Sequence, residues 1–179
     1  MTSPKLDSAP LAVHTDGSCI NQHDKVARMA GVGVFFGQGN PHNVSLPLLG
    51  AKQTNARAEL EAMVLALELA NKHYPLRPLA VYSDCSYVIL EGQRVLDFAT
   101  KKNTDYFKKD TSRRLNGDIL MRLERAVLTR KTSLQFHKVK AHSGNYGNEA
   151  ANDLAQRAAR AAYSRSKQTA APAVSIVRK

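Results

Sequence analysis

The amino-acid sequence predicts an α/β fold with a mixed β-sheet flanked by helices. Apolar segments of strand length alternate with longer segments of helical periodicity, in the order β-β-β-α-β-α-α-β-α. The chain has 179 residues and is 43% hydrophobic, so it can form one domain with a substantial core.

Three apolar segments separated by short polar turns open the chain, and this spacing is typical of an antiparallel meander. The predicted strands are 11–20, 31–37 and 42–48. A long helix is predicted next, over 54–73, with Thr54 or Asn55 as its cap. One side of this helix carries an apolar stripe that should face the core. The stripe consists of Leu60, Met63, Val64 and Leu67.

The second half of the chain supplies the remaining elements. Predicted strands are 78–84 and 133–139, and predicted helices are 85–96, 111–130 and 146–163. We expect residues 1–10 to be a flexible leader, 11–163 to be the folded domain, and the polar residues 164–179 to be a disordered tail. No internal repeat is present.

Charge and cysteine content restrict the possible partners and compartments. The chain has 26 Lys and Arg against 15 Asp and Glu, a net charge of +11, which favours a polyanionic partner such as nucleic acid. Two cysteines make no disulfide framework, and no secretory signal or long apolar span is visible. We therefore expect an intracellular protein, cytoplasmic or nuclear, that is not secreted and has no membrane partner.

Three acidic residues occupy unusual places for surface carboxylates. Asp16 lies in an apolar strand, Asp84 ends a buried strand, and Glu59 lies at the edge of the apolar stripe without a cation at i+3 or i+4. Each has an ordinary interpretation by itself, as a turn residue before glycine or a solvated helical acid. Together they favour a site for hard divalent cations, which prefer oxygen ligands.

Four segments around these acids resemble ribonuclease H of type 1, especially the eukaryotic enzymes. They are "TDGSC", "TNARAELEA", "YSDCSYVI" and "VKAHSGNYGNEAANDLA", in that family's order and at suitable spacing. The resemblance covers roughly residues 11–162. It implies a ribonuclease H-like fold with a mixed five-stranded sheet, in which strands 1–3 are antiparallel and the later strands are parallel.

The resemblance also implies an activity, which is cleavage of the RNA strand of RNA–DNA hybrids, leaving 5′-phosphate and 3′-hydroxyl ends. Two Mg²⁺ ions, for which Mn²⁺ can substitute, would be held by Asp16, Glu59 and Asp84. His142 matches a loop histidine that assists proton transfer or product release, a role that suits imidazole. We expect a monomer.

Substrate-binding positions follow from the same resemblance. Cys19 would offer its backbone to the RNA strand and Asn55 would contact the minor groove, where ribose 2′-hydroxyls distinguish RNA from DNA. Ala56 departs from the Asn or Gln usual at its position, so one minor-groove hydrogen bond is missing. Residues expected at a DNA phosphate are Lys52, which replaces the common Arg, together with Thr54 and Asn116.

The fourth metal ligand of the family is an Asp, yet its position falls on Asn152, and Asp153 follows directly. Helix geometry places Asn152 on the same edge as Asn148, whereas Asp153 lies about 100° further round with Arg157 at i+4. We therefore expect Asn152 to face the site, with Asp153 as the second choice. A neutral amide would attract the second ion less than a carboxylate does, so we expect a higher metal requirement.

The segment that should contact the DNA strand is a second departure, because the chain has no Trp. Aromatic residues interleaved with cations suit nucleic-acid contact, although a solvated charge run with core aromatics remains the alternative. The candidates there are Phe98, Lys101 and Lys102. Two alternative functions also stay open: a catalytically weak hybrid-binding module, motivated by Asn152, and the ribonuclease H segment of a reverse transcriptase.

Overall fold

The computed structural model of the chain describes residues 9–25, 27–101 and 111–170. The five strands found there are β1 Leu11–Ile20, β2 Met29–Phe35, β3 Val44–Pro47, β4 Leu79–Ser83 and β5 Leu134–Lys138. The four α-helices of the same residues are α1 Asn55–His73, α2 Ser86–Lys101, α3 Gly117–Leu128 and α4 Tyr146–Ala170. A short 3₁₀ helix, Thr111–Arg113, precedes α3.

The strands form one mixed sheet in the order β3-β2-β1-β4-β5. β1 pairs with β2 and β2 with β3 in antiparallel fashion, whereas β1–β4 and β4–β5 are parallel pairs. The predicted α/β fold with a mixed five-stranded sheet is therefore confirmed. The parallel order brings the carboxyl ends of β1 and β4 side by side, where sites of α/β sheets commonly form.

Helices cover both faces of this sheet. α4 lies on β1 and β2 so closely that a Cβ at Gly33 would lie 2.0 Å from the Ala151 carbonyl oxygen. α1 lies on the opposite face, where a Cβ at Gly17 would lie 2.1 Å from the Glu59 nitrogen. Gly33 pairs with Asp16, the residue before Gly17, so the two glycines are offset by one residue across the β1–β2 pair. Because successive positions of a strand point to opposite faces of the sheet, Gly17 and Gly33 face opposite helices. These two glycines therefore set the distance of each helix from the sheet.

The core lies mainly between the sheet and α1, α2 and α3. All four residues of the predicted α1 stripe are fully buried, which confirms the periodicity: Leu60, Met63, Val64 and Leu67. Thr54 caps α1, because its side chain accepts a hydrogen bond from the Arg57 nitrogen at 3.3 Å. No helix within the described residues is both long and apolar enough to span a lipid bilayer.

Three predicted helices differ in extent from the structure, and the first is α2, which ends at Lys101 and not at residue 96. Helix α4 continues to Ala170, so residues 164–170 are helical and not a disordered tail. The polarity of this segment suggested a tail, but its Arg, Lys and Gln are also good helix formers. The predicted helix 111–130 is divided at Asn116, whose backbone is left-handed with φ of 58°. Residues 1–8 and 171–179 of the predicted leader and tail lie outside the described residues.

Candidate active site

Asp16, Glu59 and Asp84 converge at the centre of the sheet. Each offers one carboxylate oxygen to a group whose members all lie within 4.8 Å of one another. Asp16 lies on β1, Asp84 follows β4 directly, and Glu59 lies in the second turn of α1. The parallel β1–β4 pair places the two aspartates next to each other, and the approach of α1 brings in the glutamate.

Gly17 explains how Glu59 reaches the strand. Because Gly17 has no side chain, the α1 backbone lies directly against β1 there. The Gly17 N–H donates a hydrogen bond to Glu59 Oε2 at 3.0 Å. The Asp–Gly pair therefore lies within a strand and not in a turn, contrary to the ordinary interpretation of that dipeptide.

Burial and mutual repulsion make the ionised state of this cluster unfavourable. Asp16 and Glu59 are each only 5% exposed. Burial, followed by the charge of Asp84, raises the pKa of Asp16 to about 7. Burial, followed by the charges of Asp16 and Asp84, raises the pKa of Glu59 to about 9. No Lys, Arg or His of the described residues forms an ion pair with these three carboxylates, so a divalent cation fits the site chemically.

Asn148 is a site residue that the sequence did not predict. Its Nδ2 donates a hydrogen bond to Asp84 Oδ2 at 2.9 Å, and the side chain is only 3% exposed. Its Oδ1 is buried and has no hydrogen-bond partner in the described part of the chain. The contact joins the first turn of α4 to the end of β4. Only the spacing of one helical turn before Asn152 could have indicated it.

Asn152 is half-buried one turn further along the same edge of α4, and its Oδ1 accepts a hydrogen bond from Gln156 Nε2 at 3.1 Å. That oxygen keeps a second lone pair. Asp153 is exposed and lines a groove with Phe35 and Tyr146, on another side of the helix. Asn152 shares its edge of α4 with Asn148, which contacts Asp84, and its role as the residue that faces the site stays a prediction.

His142 lies in the exposed turn between β5 and α4, with a left-handed backbone at φ of 50°. The turn is closed by local hydrogen bonds: Ser143 Oγ donates to the Lys140 carbonyl at 2.7 Å, and the Gly144 N–H donates to Glu149 Oε1 at 3.1 Å. The imidazole itself is open to solvent beside the N-terminus of α4. It is therefore accessible to a bound substrate or to water.

Asn55 connects the end of β1 to the carboxylates. Its Oδ1 accepts a hydrogen bond from the Cys19 N–H at 3.1 Å, and its Nδ2 donates to Glu59 Oε1 at 3.4 Å. The Cys19 carbonyl accepts a hydrogen bond from Gln22 Nε2 at 3.0 Å. One N–H of the Asn55 amide and the second lone pair of the Cys19 carbonyl remain for a substrate.

A pocket of about 460 Å³ lies beside the N-terminus of α1. It brings together the three residues predicted to hold a phosphate, Lys52, Thr54 and Asn116. Lys25 and Arg28, from the β1–β2 turn, also line it. Neither cation was predicted as a site residue, and the only signal in the sequence is a basic turn that follows the first strand. Three cations without an acidic side chain in the lining give the pocket the charge that an anion requires.

Arg57 fixes one wall of this pocket. Its guanidinium donates a hydrogen bond to Asn116 Oδ1 at 3.4 Å and forms a bidentate ion pair with the Asp118 carboxylate. Hydrogen bonding to Arg57 lowers the pKa of Asp118 to about 2. Asn116 is thereby held at the start of α3 with its strained backbone, and α1 and α3 present their N-terminal ends to the same pocket.

The predicted DNA-strand contacts are only partly described. Phe98 lies in α2 and is half-buried. Lys101 is the last residue of α2, and Lys102 lies outside the described residues, as do the other aromatics of that segment. The proposed contact with the DNA strand therefore stays a prediction.

The sheet order and the central carboxylates define a ribonuclease H-like α/β domain. The PFV RNase H domain matches with a TM-score of 0.63 at 22% identity, covering 84% of this chain and 94% of that domain. A type 1 RNase H with the type 2 active-site motif matches with a TM-score of 0.60 at 24% identity, covering 87% and 75%. At these identities the likeness shows the fold.

The sequence itself shows the family. The RNase H family model matches residues 8–160, and the chain belongs to the RNase H family. Ribonuclease H of Schizosaccharomyces pombe is 39% identical over 148 residues, covering 82% of this chain and 52% of that protein. Human ribonuclease H1 is 34% identical over 156 residues, covering 84% and 50%. The predicted resemblance to type 1 ribonuclease H is confirmed, and the chain spans about half the length of these relatives.

Proposed function

We propose that this chain is an endoribonuclease that hydrolyses the RNA strand of RNA–DNA hybrids, leaving 5′-phosphate and 3′-hydroxyl ends. The convergence of Asp16, Glu59 and Asp84 within 4.8 Å carries this proposal. The family membership and the net charge of +11 support it. One of the solved structures with the same fold, an LC11-RNase H1, is a complex with an RNA/DNA hybrid.

The three carboxylates and Asn152 would hold the metal, which we propose to be two Mg²⁺ ions with Mn²⁺ as a substitute. When bound, such ions activate a water and neutralise charge on the phosphate. Asn148 orients Asp84 by its hydrogen bond, and the Gly17 N–H orients Glu59. His142, exposed on its turn, would exchange a proton with the leaving group or with solvent.

The remaining residues would recognise the hybrid. Asn55 and the Cys19 backbone, which are joined by a hydrogen bond next to the carboxylates, would face the minor groove and contact a ribose 2′-hydroxyl there. The pocket of Lys25, Arg28 and Lys52 would bind a phosphate of the DNA strand. We also propose that the protein is a monomer and that it is intracellular, which its two free cysteines support.

Cleavage of a labelled RNA–DNA hybrid across a Mg²⁺ series tests the proposal, with duplex RNA and single-stranded RNA as controls. The wild type is compared with Asp16→Asn and Asn152→Asp. We expect cleavage of the hybrid alone, loss of cleavage in Asp16→Asn, and half-saturation at lower Mg²⁺ in Asn152→Asp. Binding without cleavage at any Mg²⁺ or Mn²⁺ concentration would favour a hybrid-binding module instead. Equal half-saturation of the wild type and Asn152→Asp would refute the role of Asn152 in metal demand.

A further inference from the structure

A cluster of aromatic rings lies at the end of the molecule opposite the carboxylates. It joins the β2–β3 loop to the C-terminal end of α1 and consists of Phe36, His42, His73 and Tyr74. Fourteen helical residues separate Glu59 from His73, which corresponds to about 21 Å along the helix axis. Whatever the cluster binds is therefore distinct from the carboxylate site.

Two imidazoles form the outer part of this cluster. The rings of His42 and His73 are stacked, with centroids 3.8 Å apart and planes 21° apart. Tyr74 contacts His42 edge to face, with centroids 5.5 Å apart, and exchanges hydrogen bonds with Asn40 through its hydroxyl group. The Tyr74 ring and the β2–β3 loop therefore hold His42 in place, whereas His73, the last residue of α1, is exposed.

The loop that carries His42 is fixed by its own hydrogen bonds. The backbone N–H of His42 donates a hydrogen bond to Asn40 Oδ1 at 2.9 Å, and the backbone N–H of Phe36 donates one to Asn43 Oδ1 at 2.7 Å. Asn43 Nδ2 donates in turn to the Gly37 carbonyl at 2.7 Å. One histidine is thus preorganised by a rigid loop, and the other has the freedom to turn toward a shared ligand.

The ring nitrogens of both histidines are available for a ligand. Neither imidazole forms a hydrogen bond or an ion pair with any residue that the structure describes. Local desolvation, followed by the charges of His42 and Lys72, lowers the pKa of His73. A lowered pKa favours the uncharged imidazole, whose free lone pair is the form that binds transition metals.

We propose that His42 and His73 form a two-imidazole binding site for a borderline divalent transition-metal ion such as Zn²⁺. Imidazole pairs favour Zn²⁺, Cu²⁺ and Ni²⁺, whereas the carboxylates near Asp16 favour hard ions, so the two sites differ in ligand chemistry. Binding requires the stacked rings to open until one nitrogen of each points at the ion, with water as the remaining ligands. The bound ion would join the β2–β3 loop to the end of α1.

The nearby Lys72 limits the affinity, because its charge opposes that of the ion. The site therefore suits exchangeable binding. A structural zinc site, in contrast, is closed by four protein ligands. This zinc site does not depend on the proposed nuclease activity, since Zn²⁺ binding alone tests it.

Isothermal titration of the full chain with Zn²⁺ at pH 7.5, in excess Mg²⁺, tests the inference. His42→Gln and His73→Gln each remove one imidazole, and His23→Gln is the matched control, because His23 is an exposed histidine in the β1–β2 turn. We expect the wild type and His23→Gln to bind one more Zn²⁺ ion than the other two variants, or to bind it at least tenfold more tightly. Circular dichroism checks that every variant is folded.

The imidazole resonances of the wild type provide a second measurement. We expect substoichiometric Zn²⁺ to shift the ring signals of His42 and His73 together. Isotherms of the four proteins that agree within twofold would overturn the proposal. So would ring shifts confined to His142 or other histidines. Either result would leave the cleavage assay unaffected.

Discussion

Replacing Asp16 by Asn should stabilise the metal-free protein while removing its activity. The carboxyl group of Asp16 is buried next to Asp84 and Glu59, and its pKa is raised from 3.8 to about 7. Between these two values the folded state binds more protons than the unfolded state. The free energy of unfolding therefore falls as the pH rises from about 4 to 7, and Glu59, with a pKa of about 9, extends this loss to higher pH.

The size of the effect follows from the difference in pKa. A difference of about 3 corresponds to about 4 kcal/mol of unfavourable interaction once Asp16 is ionised. Asn retains a buried polar group at the same place, so part of the cost stays. We expect Asp16→Asn to raise the free energy of unfolding by about 2 to 4 kcal/mol at pH 7.5, a large share of the total stability of a typical domain. The gain should nearly vanish at pH 4.

Urea unfolding with EDTA at pH 4, 5.5 and 7.5 measures this gain. Asp118→Asn is a control of opposite sign, because Arg57 lowers the pKa of the exposed Asp118 and this partly exposed pair stabilises the fold slightly at neutral pH. That control should lose less than about 1 kcal/mol. Addition of Mg²⁺ should stabilise the wild type more than Asp16→Asn. An Asp16→Asn protein no more stable than the wild type at pH 7.5 would refute the electrostatic reasoning.

Three other substitutions probe the site, the sheet and the phosphate pocket. Asn148→Ala removes the buried hydrogen bond to Asp84, so the Mg²⁺ concentration for half-maximal cleavage should rise roughly tenfold, and an unchanged titration would contradict this. Gly33→Ala places a Cβ 2.0 Å from the Ala151 carbonyl oxygen and should cost about 2 kcal/mol or more in urea unfolding; an unchanged midpoint would show that α4 shifts freely. Lys52→Gln, made in a cleavage-inactive background, should reduce the slope of log affinity for the hybrid against log salt concentration by about 1, the equivalent of one phosphate contact. An unchanged slope would place Lys52 away from the DNA.

Local patterns were sufficient wherever a single periodicity or spacing determined the structure. The stripe from Leu60 to Leu67 predicted α1 and its buried face, because four apolar residues at helical spacing can be covered only by packing that face. The order of strands and helices predicted the mixed sheet. The ends of elements were predicted less well: residues 164–170 have the polarity of a tail and the residue types of a helix, and local composition could not distinguish these.

Contacts between distant segments could not be read from the sequence. Asn148 binds Asp84 across 64 positions, and Lys25 shares a pocket with Lys52 only because the β1–β2 turn folds back over the start of α1. The stack of His42 on His73 likewise depends on where a loop meets a helix end. Each of these pairs consists of ordinary polar residues without a local spacing rule.

The sequence by itself determined the class of fold, the family and the three carboxylates, since each depends on residue type and order along the chain. The tertiary structure decided the environment of those carboxylates. Their separation within 4.8 Å, their burial, and the hydrogen bonds from Gly17 and Asn148 exist only once β1, β4, α1 and α4 have packed together. Electrostatic free energy depends on distance and solvent exposure, and both are properties of the packed molecule.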